Sequence, residues 1–550
     1  MGSGPHRGLG VVAGICVPVL AILTAACVGG VSAATTAATV TTTDTTVTTA
    51  ETTVTTGATT TAAAPPTTTT TRPEPFDPLG ATIPELQAAM DAGRITSVDL
   101  VTFSLARITA YDDAGPELNA MITVNPNALA DAAVADAERA VSGPRSPLHG
   151  IPIVVKDNID TMDMPTTAGS LSLAGFMPGD DAFVVSRLRA GGAVIIGKAN
   201  LHEFARDITT LSSLGGQTLN PFDPTRNPGG SSGGTGASVV AEFATAGLGT
   251  DTCGSIRIPA SHDDLYGLRP TIGLVSRAGV IPLSPTEDTV GPLARSVADL
   301  AAVLDVIAGQ DPADPITVAT ATSYADAVDP DGLTGMRIGV LDVLFTDADP
   351  GVTAVVRSAL AEMEASGATV ISASIPGFDA LRGSAASVFL REFRDALDFY
   401  LTAHPSAPVG SLSEIVASGL YEQSLDAKLR AHLTASTGDT SYREAVARRA
   451  VVRDAIVSFM DDNDLDALAY PTITQPPARI GETQRGSNCG TASVGGLPAL
   501  VVPAGFTDGL PVGLELMGRP FQESMLISIA AGFEAHTDHR MLPSTTPPLP

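Results

Sequence analysis

Three short segments of the chain combine residue types that can do chemistry. The first, His149-Gly150-Ile151-Pro152-Ile153-Val154-Val155-Lys156-Asp157-Asn158, ends an Ile/Val run on a lysine, and only three of the 31 basic residues are lysines: Lys156, Lys198 and Lys428. Arginine stays charged at every accessible pH, whereas a lysine amine in apolar surroundings sheds its proton by desolvation and then acts as a base. Lys156 fits that role. Lys198, in Ile195-Ile196-Gly197-Lys198-Ala199-Asn200, has a similar setting and competes with it. The plainer alternative for Lys156 is an ion pair with Asp157 or Asp160 at the end of a strand.

The second segment is Asn227-Pro228-Gly229-Gly230-Ser231-Ser232-Gly233-Gly234-Thr235-Gly236. Its glycines let the backbone come close to other groups, so that serine hydroxyls and amides can face a reacting atom. An anion-binding loop is one reading, although no G-K-[ST] ending supports a nucleotide loop. Gly230-Ser231-Ser232-Gly233-Gly234 also satisfies the G-x-S-x-G elbow with Ser232 as nucleophile, but turn-forming Asn220-Pro221-Phe222-Asp223-Pro224 precedes it where a buried strand belongs. A plain Gly-Ser loop is the third reading. The last segment, Gly249-Thr250-Asp251-Thr252-Cys253-Gly254-Ser255-Ile256-Arg257-Ile258-Pro259-Ala260, places a serine after a turn of small residues. The successive N–H groups of Thr252, Cys253, Gly254 and Ser255 could converge on one oxygen as an oxyanion hole.

These segments need a scaffold, and the pattern around them predicts one. Thr82 caps a helix over Ile83 to Ala92, with Pro84 in its first turn and Gly93 beyond its end. A second helix follows, capped by Thr96 or Ser97, in which Val98, Val101, Leu105 and Ile108 recur at helical spacing. β-branched runs then alternate with Ala-rich helical stretches: Ile151 to Val155, Ala193 to Ile196, Met336 to Leu341, Thr369 to Ala373, Leu465 to Tyr470 and Ala499 to Val502. That alternation predicts an α/β fold with a central sheet covered by helices. No composition break interrupts residues 79–545, so one large domain is expected.

Ahead of this body, His6 and Arg7 precede an apolar run from Leu9 to Ala26, broken by Pro18, and residues 1–33 read as an export segment. Leu23-Thr24-Ala25-Ala26-Cys27 matches a bacterial lipobox in which Cys27 would carry a lipid anchor; Val31-Ser32-Ala33 offers ordinary secretory cleavage instead. Residues 34–78 read as a disordered stalk: more than half of Ala34 to Arg72 is threonine, and too little apolar surface is present to offset the entropy of ordering. The formal net charge of -28, from 59 acids against 31 bases, argues against nucleic acid as a partner. Four cysteines are too few for a disulfide scaffold, and no Cys/His cluster has the spacing of a metal site.

Taken together the three segments are far more specific than any one alone. The Gly-Ser loop at Ser231, the Gly-Ser-Ile-Arg-Ile-Pro-Ala turn at Ser255 and the upstream strand-end Lys156 resemble the amidase signature family. Gly197-Lys198-Ala199-Asn200-Leu201-His202-Glu203-Phe204, Gly267-Leu268-Arg269-Pro270-Thr271, Asp288-Thr289-Val290-Gly291-Pro292 and Gly496-Leu497-Pro498-Ala499 extend the likeness over about residues 79–540. The resemblance implies the family's fold and a Ser-Ser-Lys triad: Lys156 as base, Ser231 as bridging serine on a cis peptide, Ser255 as acylated nucleophile. It implies an oxyanion hole at Thr252, Cys253 and Gly254, and it leaves Lys198 without a catalytic place. Ser232, Asp251 and Arg257 would support the turn, the last two as a charge pair.

The expected activity is hydrolysis of a small carboxamide or peptide amide to a carboxylic acid and ammonia or amine, without metal or cofactor, by an exported enzyme. The alternatives are a component of an amidotransferase working on tRNA-linked substrates and a non-catalytic surface lipoprotein of the same fold. One departure stands out, because the family usually carries glycine where this chain has Cys253. Cys253 and Cys489 would both approach the site, and two buried free thiols are favoured over a bond between them. Phe389, Phe393, Phe399 and Tyr400 are expected to pack a helix rather than line an acyl pocket.

Overall fold

Thr82 and Thr96 open the body as helix caps. The Thr82 hydroxyl accepts from the Glu85 N–H while the Glu85 side chain reaches back to the Thr82 N–H, and Thr96 makes the same reciprocal arrangement with Asp99. Each box satisfies two N–H groups that a helix start leaves unpaired. The helices run Ile83–Asp91 and Ser97–Tyr111. The structure is a computed structural model describing residues 74, 76–384 and 388–549. The export segment, Cys27 and the Thr-rich stretch as far as residue 73 lie outside those residues.

Thirteen strands follow in the described chain: β1 Met121–Val124, β2 Pro152–Lys156, β3 Val194–Ala199, β4 Leu211–Ser212, β5 Gly216–Gln217, β6 Ala246–Asp251, β7 Tyr266–Arg269, β8 Thr289–Ala294, β9 Arg337–Leu341, β10 Thr369–Ala373, β11 Ala467–Pro471, β12 Ala499–Thr507 and β13 Leu510–Met517. Eleven of them form one sheet in the order β1-β3-β2-β6-β8-β7-β12-β13-β11-β9-β10, and β4 and β5 make a separate small ribbon. The sheet is mixed. β3, β2 and β6 run parallel on one side and β11, β9 and β10 run parallel on the other, with antiparallel pairs between. Helices cover both faces, which is why β2 reads as an unbroken apolar run: Ile153 and Val155 enter one core and Val154 the other.

The expected α/β architecture with a helix-covered central sheet is therefore present. All six strands expected from sequence are strands of that sheet. Five more were not anticipated, and four of these, β6, β7, β8 and β13, carry glycine inside the strand. In β6 a side chain at Gly249 would lie 2.8 Å from Ser232 Oγ, so glycine there lets the Gly-Ser loop lie against the strand. At the far end the body continues past residue 545. Arg107 donates to the Thr546 carbonyl at 2.8 Å, and the Tyr111 hydroxyl to the Pro547 carbonyl at 2.6 Å.

Lys198, at the end of β3, is buried beside Asp157, with Nζ 3.5 Å from Asp157 Oδ1 and hydrogen bonds to Thr166 Oγ1 at 2.7 Å and the Pro165 carbonyl at 3.0 Å. Removing one member of a fully buried pair leaves the other without compensation. Lys198→Ala should lower the unfolding free energy by about 3–5 kcal/mol, read from urea denaturation; a loss below about 1 kcal/mol would show the pair to be dispensable.

Candidate active site

The adjacent parallel strands β2 and β6 deliver their C-terminal ends to one place, where ligands of α/β sheets characteristically bind. Lys156 ends β2 and is fully buried; its Nζ lies 2.7 Å from Ser231 Oγ and 2.7 Å from Thr250 Oγ1. Burial brings its pKa down to about 7, against the opposing pull of the Asp251 and Asp288 carboxylates. A group that is half deprotonated near neutrality can both accept and return a proton. It is Lys198, and not Lys156, that takes Asp157 as its partner. The third lysine, Lys428, pairs with Asp207 and is partly exposed.

Ser231 sits in the loop that enters the helix Gly233–Val240, and the Gly230–Ser231 peptide is cis. The loop is held from several sides. The Ser231 carbonyl accepts the His202 N–H at 3.0 Å, and the Ser232 N–H donates to the Ser255 carbonyl at 3.2 Å. Ser232 Oγ, the nucleophile of the elbow reading, is instead engaged with the Thr250 backbone, donating to its carbonyl at 3.2 Å and accepting its N–H at 3.3 Å. Ser232 thus fastens the Gly-Ser loop to β6, next to the base.

Ser255 follows the turn at the end of β6 and is 4 % exposed. No hydrogen bond within the described residues engages its hydroxyl, so the bond to Ser231 that completes a relay is not formed in this structure. Catalytic hydrogen bonds commonly tighten only when substrate is seated. The turn itself is organised by Asp251. This carboxylate accepts the Gly254 N–H at 2.8 Å, the Ile256 N–H at 3.2 Å, Arg257 Nε at 3.0 Å and Arg269 Nη1 at 2.7 Å. Burial alone would push its pKa up, but the Arg257 and Arg269 guanidiniums outweigh that and hold it well below the usual carboxylate range.

One correction to the oxyanion reading follows. The Gly254 N–H donates to Asp251 Oδ1 at 2.8 Å and is committed within the turn rather than left open to a substrate oxygen. The N–H groups of Thr252, Cys253 and Ser255 have no protein partner among the described residues and remain the candidate donors. Thr252 is steadied through its side chain, which donates to Asp288 Oδ1 at 2.5 Å. Asp288 accepts the Leu283 and Ser284 N–H groups on its other oxygen, and burial raises its pKa to about 6.

A second correction concerns the cysteines. Cys253 and Cys489 are joined as a disulfide with Cα atoms 5.0 Å apart, inside the separation a bridge requires, so they are not free thiols. Both are partly exposed rather than buried. With a sequence separation of 236 nothing local favoured the bond over free thiols, since only the folded sheet brings the two turns together.

Several residues of the site were not singled out from sequence. Thr250 touches the base directly, Asp288 steadies Thr252, Arg269 and Glu515 complete the charge cluster, and His202 positions Ser231 through its backbone. Arg269 also donates to the Glu287 carbonyl at 2.8 Å, while Glu515 joins Arg257 at 2.5 Å and the Tyr470 hydroxyl at 2.7 Å. Arg269, Asp288 and His202 lie in the recurring strings noted beyond the triad, and that was the available signal. Of the four aromatics, Phe393 and Tyr400 are core residues and Phe389 packs against them. Phe399 is 79 % exposed. It lines, with Tyr400, Val280 and Ala396, a mainly apolar cavity of about 320 Å³ that reaches Thr250 and Asp288.

Comparison with known proteins identifies the family. The sequence model of the family described as Amidase matches residues 99–527. The glutamyl-tRNA(Gln) amidotransferase A subunit of Chloroflexus aggregans is 39% identical over 477 residues, which span 83% of this chain and 96% of the relative. Among solved structures, native peptide amidase from Stenotrophomonas maltophilia is 41% identical with a TM-score of 0.79, covering 85% of this chain and 99% of that one. The corresponding amidotransferase A subunit from Thermotoga maritima is 28% identical with a TM-score of 0.67, over 86% of this chain and 99% of that one. With the family model matched over most of its length and the strand-end lysine and two serine turns gathered at one end of the sheet, the chain belongs to the amidase family, whose enzymes act on amide C–N bonds.

Proposed function

We propose that the protein is an exported serine amidase that hydrolyses carboxamides or peptide amides through an acyl-enzyme on Ser255. The observation that carries this reading is the buried Lys156 amine held 2.7 Å from Ser231 Oγ. The neutral amine takes the Ser231 proton as Ser231 takes that of Ser255, and the Ser255 oxygen attacks the amide carbon. Negative charge developing on the carbonyl oxygen is met by the amides of Thr252, Cys253 and Ser255. The proton then returns along the same path to the leaving nitrogen, ammonia or an amine departs, and water attacks the ester carbonyl to release the acid. Every proton in this path is carried by lysine and serine, and no step calls on a histidine.

Export rests on the pattern of residues 1–33 and gains support from the disulfide beside the nucleophile, a bond that persists in oxidising compartments and is rare in the cytosol. Lipid attachment at Cys27 or free secretion would both follow from that pattern, with the Thr-rich stretch as a tether. The amidotransferase reading is favoured by the identity to the Chloroflexus aggregans protein. Against it stand the disulfide and the net charge of -28, which suits RNA poorly. Finding the protein in the cytoplasm with its thiols reduced would favour that alternative.

A panel of aliphatic, aryl and C-terminal peptide amides, scored by ammonia release, should identify substrates that Ser255→Ala does not turn over and whose hydrolysis a sulfonyl fluoride blocks by labelling Ser255. Full amide hydrolysis by Ser255→Ala, with loss in Ser232→Ala, would transfer the nucleophile to the elbow serine. Lys156→Arg keeps a positive charge but cannot act as a base, so its kcat should fall by about 10²–10⁴. Near-normal kcat in that variant would remove Lys156 from the proton path.

A further inference from the structure

The disulfide joins two separately anchored segments. Cys253 stands two residues before Ser255, in the turn at the end of β6. Cys489 closes the segment that leaves β11, and its neighbour Asn488 pins that segment by donating to the Pro471 carbonyl at 2.8 Å and the Leu344 carbonyl at 3.1 Å. The same segment meets the start of the Gly-Ser loop, where Asn227 Nδ2 donates to the Ala478 carbonyl at 2.9 Å and to Gln484 Oε1 at 3.2 Å.

A noncovalent path returns across the bridge. Arg257 Nη2 donates to the Cys489 carbonyl at 3.1 Å, Arg257 Nε donates to Asp251, and Asp251 accepts the Gly254 N–H. The turn Asp251 to Ser255 is therefore enclosed in a ring closed on one side by the disulfide and on the other by an ion pair. The fit is tight: a side chain at Gly254 would bring its Cβ to 2.7 Å from Cys489 Cβ. Within this ring the Cys253 N–H, a candidate oxyanion donor, belongs to the residue whose side chain is fixed by the bridge.

We propose that the Cys253–Cys489 disulfide is a positioning link for the nucleophile turn, holding the Cys253 N–H and Ser255 in the geometry that acyl transfer requires, so that the oxidised protein is the competent form. The inference rests on the reading of Ser255 as nucleophile. The link does not touch the substrate's reacting atoms; it acts through the backbone of the turn. The buried Asp251, Arg257, Arg269 and Glu515 cluster makes its ion pairs without either cysteine side chain, so loss of the bridge should leave the fold in place while the turn gains freedom. Displacements near 1 Å at a reacting centre are enough to slow a reaction by about 10²-fold.

Two routes remove the link. Cys253→Ser/Cys489→Ser deletes it in the chain. A water-soluble phosphine reduces it in the folded wild-type protein: phosphorus gives up two electrons and takes oxygen from water, and the two hydrogens of that water complete the two thiols. On an amide that the untreated protein hydrolyses, kcat should fall about 10- to 100-fold in both cases while KM changes by less than about threefold, because an interaction made in the transition state is lost. Labelling of Ser255 by a sulfonyl fluoride should slow in step with the number of thiols formed, and reoxidation should restore both rates. A lowered Tm with unchanged kcat would make the bridge a stabiliser only and overturn the proposal, and the phosphine arm decides the matter even if the double variant fails to fold. Failure of the untreated protein to hydrolyse any amide would instead count against the amidase reading itself.

Discussion

The desolvated amine of Lys156 is the interaction on which the other features of the site depend. An ammonium group at this position would be stripped of water, and the two carboxylates that favour its charge, Asp251 and Asp288, are engaged elsewhere. Asp251 is bound to Arg257 and Arg269, and Asp288 to Thr252 and backbone amides. The surroundings can therefore be acidic without restoring the proton to Lys156. That balance explains why lysine and not arginine stands at the end of β2.

Such burial follows from the sheet. β2 lies between β3 and β6, all parallel, with helices over both faces, so its last residue is reached only through the turns beyond the strand ends. The turns are supplied by the Gly-Ser loop and by the end of β6, and these two are stitched together by Ser232. The charge cluster beneath Ser255 then shapes the nucleophile turn by taking up the Gly254 and Ile256 amides, leaving others free to face a substrate. A buried ion pair contributes little net stability on its own. Here its evident product is a defined backbone.

Much of this was legible in the sequence because local and global signals agreed. A cap at Thr82 and another at Thr96 or Ser97 announced the first helices, and the six β-branched runs were strands. The β6 strand was not legible: Ala246-Gly247-Leu248-Gly249-Thr250-Asp251 lacks β-branched residues over most of its length, since Gly249 answers to the loop packed against it. For the site, the resemblance to the amidase signature family picked out Lys156, Ser231 and Ser255, whereas the residues alone offered Ser232 as a nucleophile and did not choose between Lys156 and Lys198. The structure separates them by their partners, two hydroxyls for Lys156 and the Asp157 carboxylate for Lys198. Nor could spacing show that the Gly254 amide is committed to Asp251, or that Cys253 meets Cys489, because both depend on contacts made only in the folded chain.

The central claim, that Lys156 is a neutral base near physiological pH, is tested most directly by the pH dependence of kcat/KM for amide hydrolysis. A base whose folded pKa is lowered to about 7 is active above that value, so kcat/KM should fall as pH drops, with its midpoint near 7. Asp288, raised to about 6, also faces this site, and because its carboxylate favours the charged form of Lys156, Asp288→Asn should keep the midpoint but move it below that of the unaltered protein. A midpoint that vanishes in Asp288→Asn, or one that lies near the ordinary lysine value of about 10.4, would contradict the account.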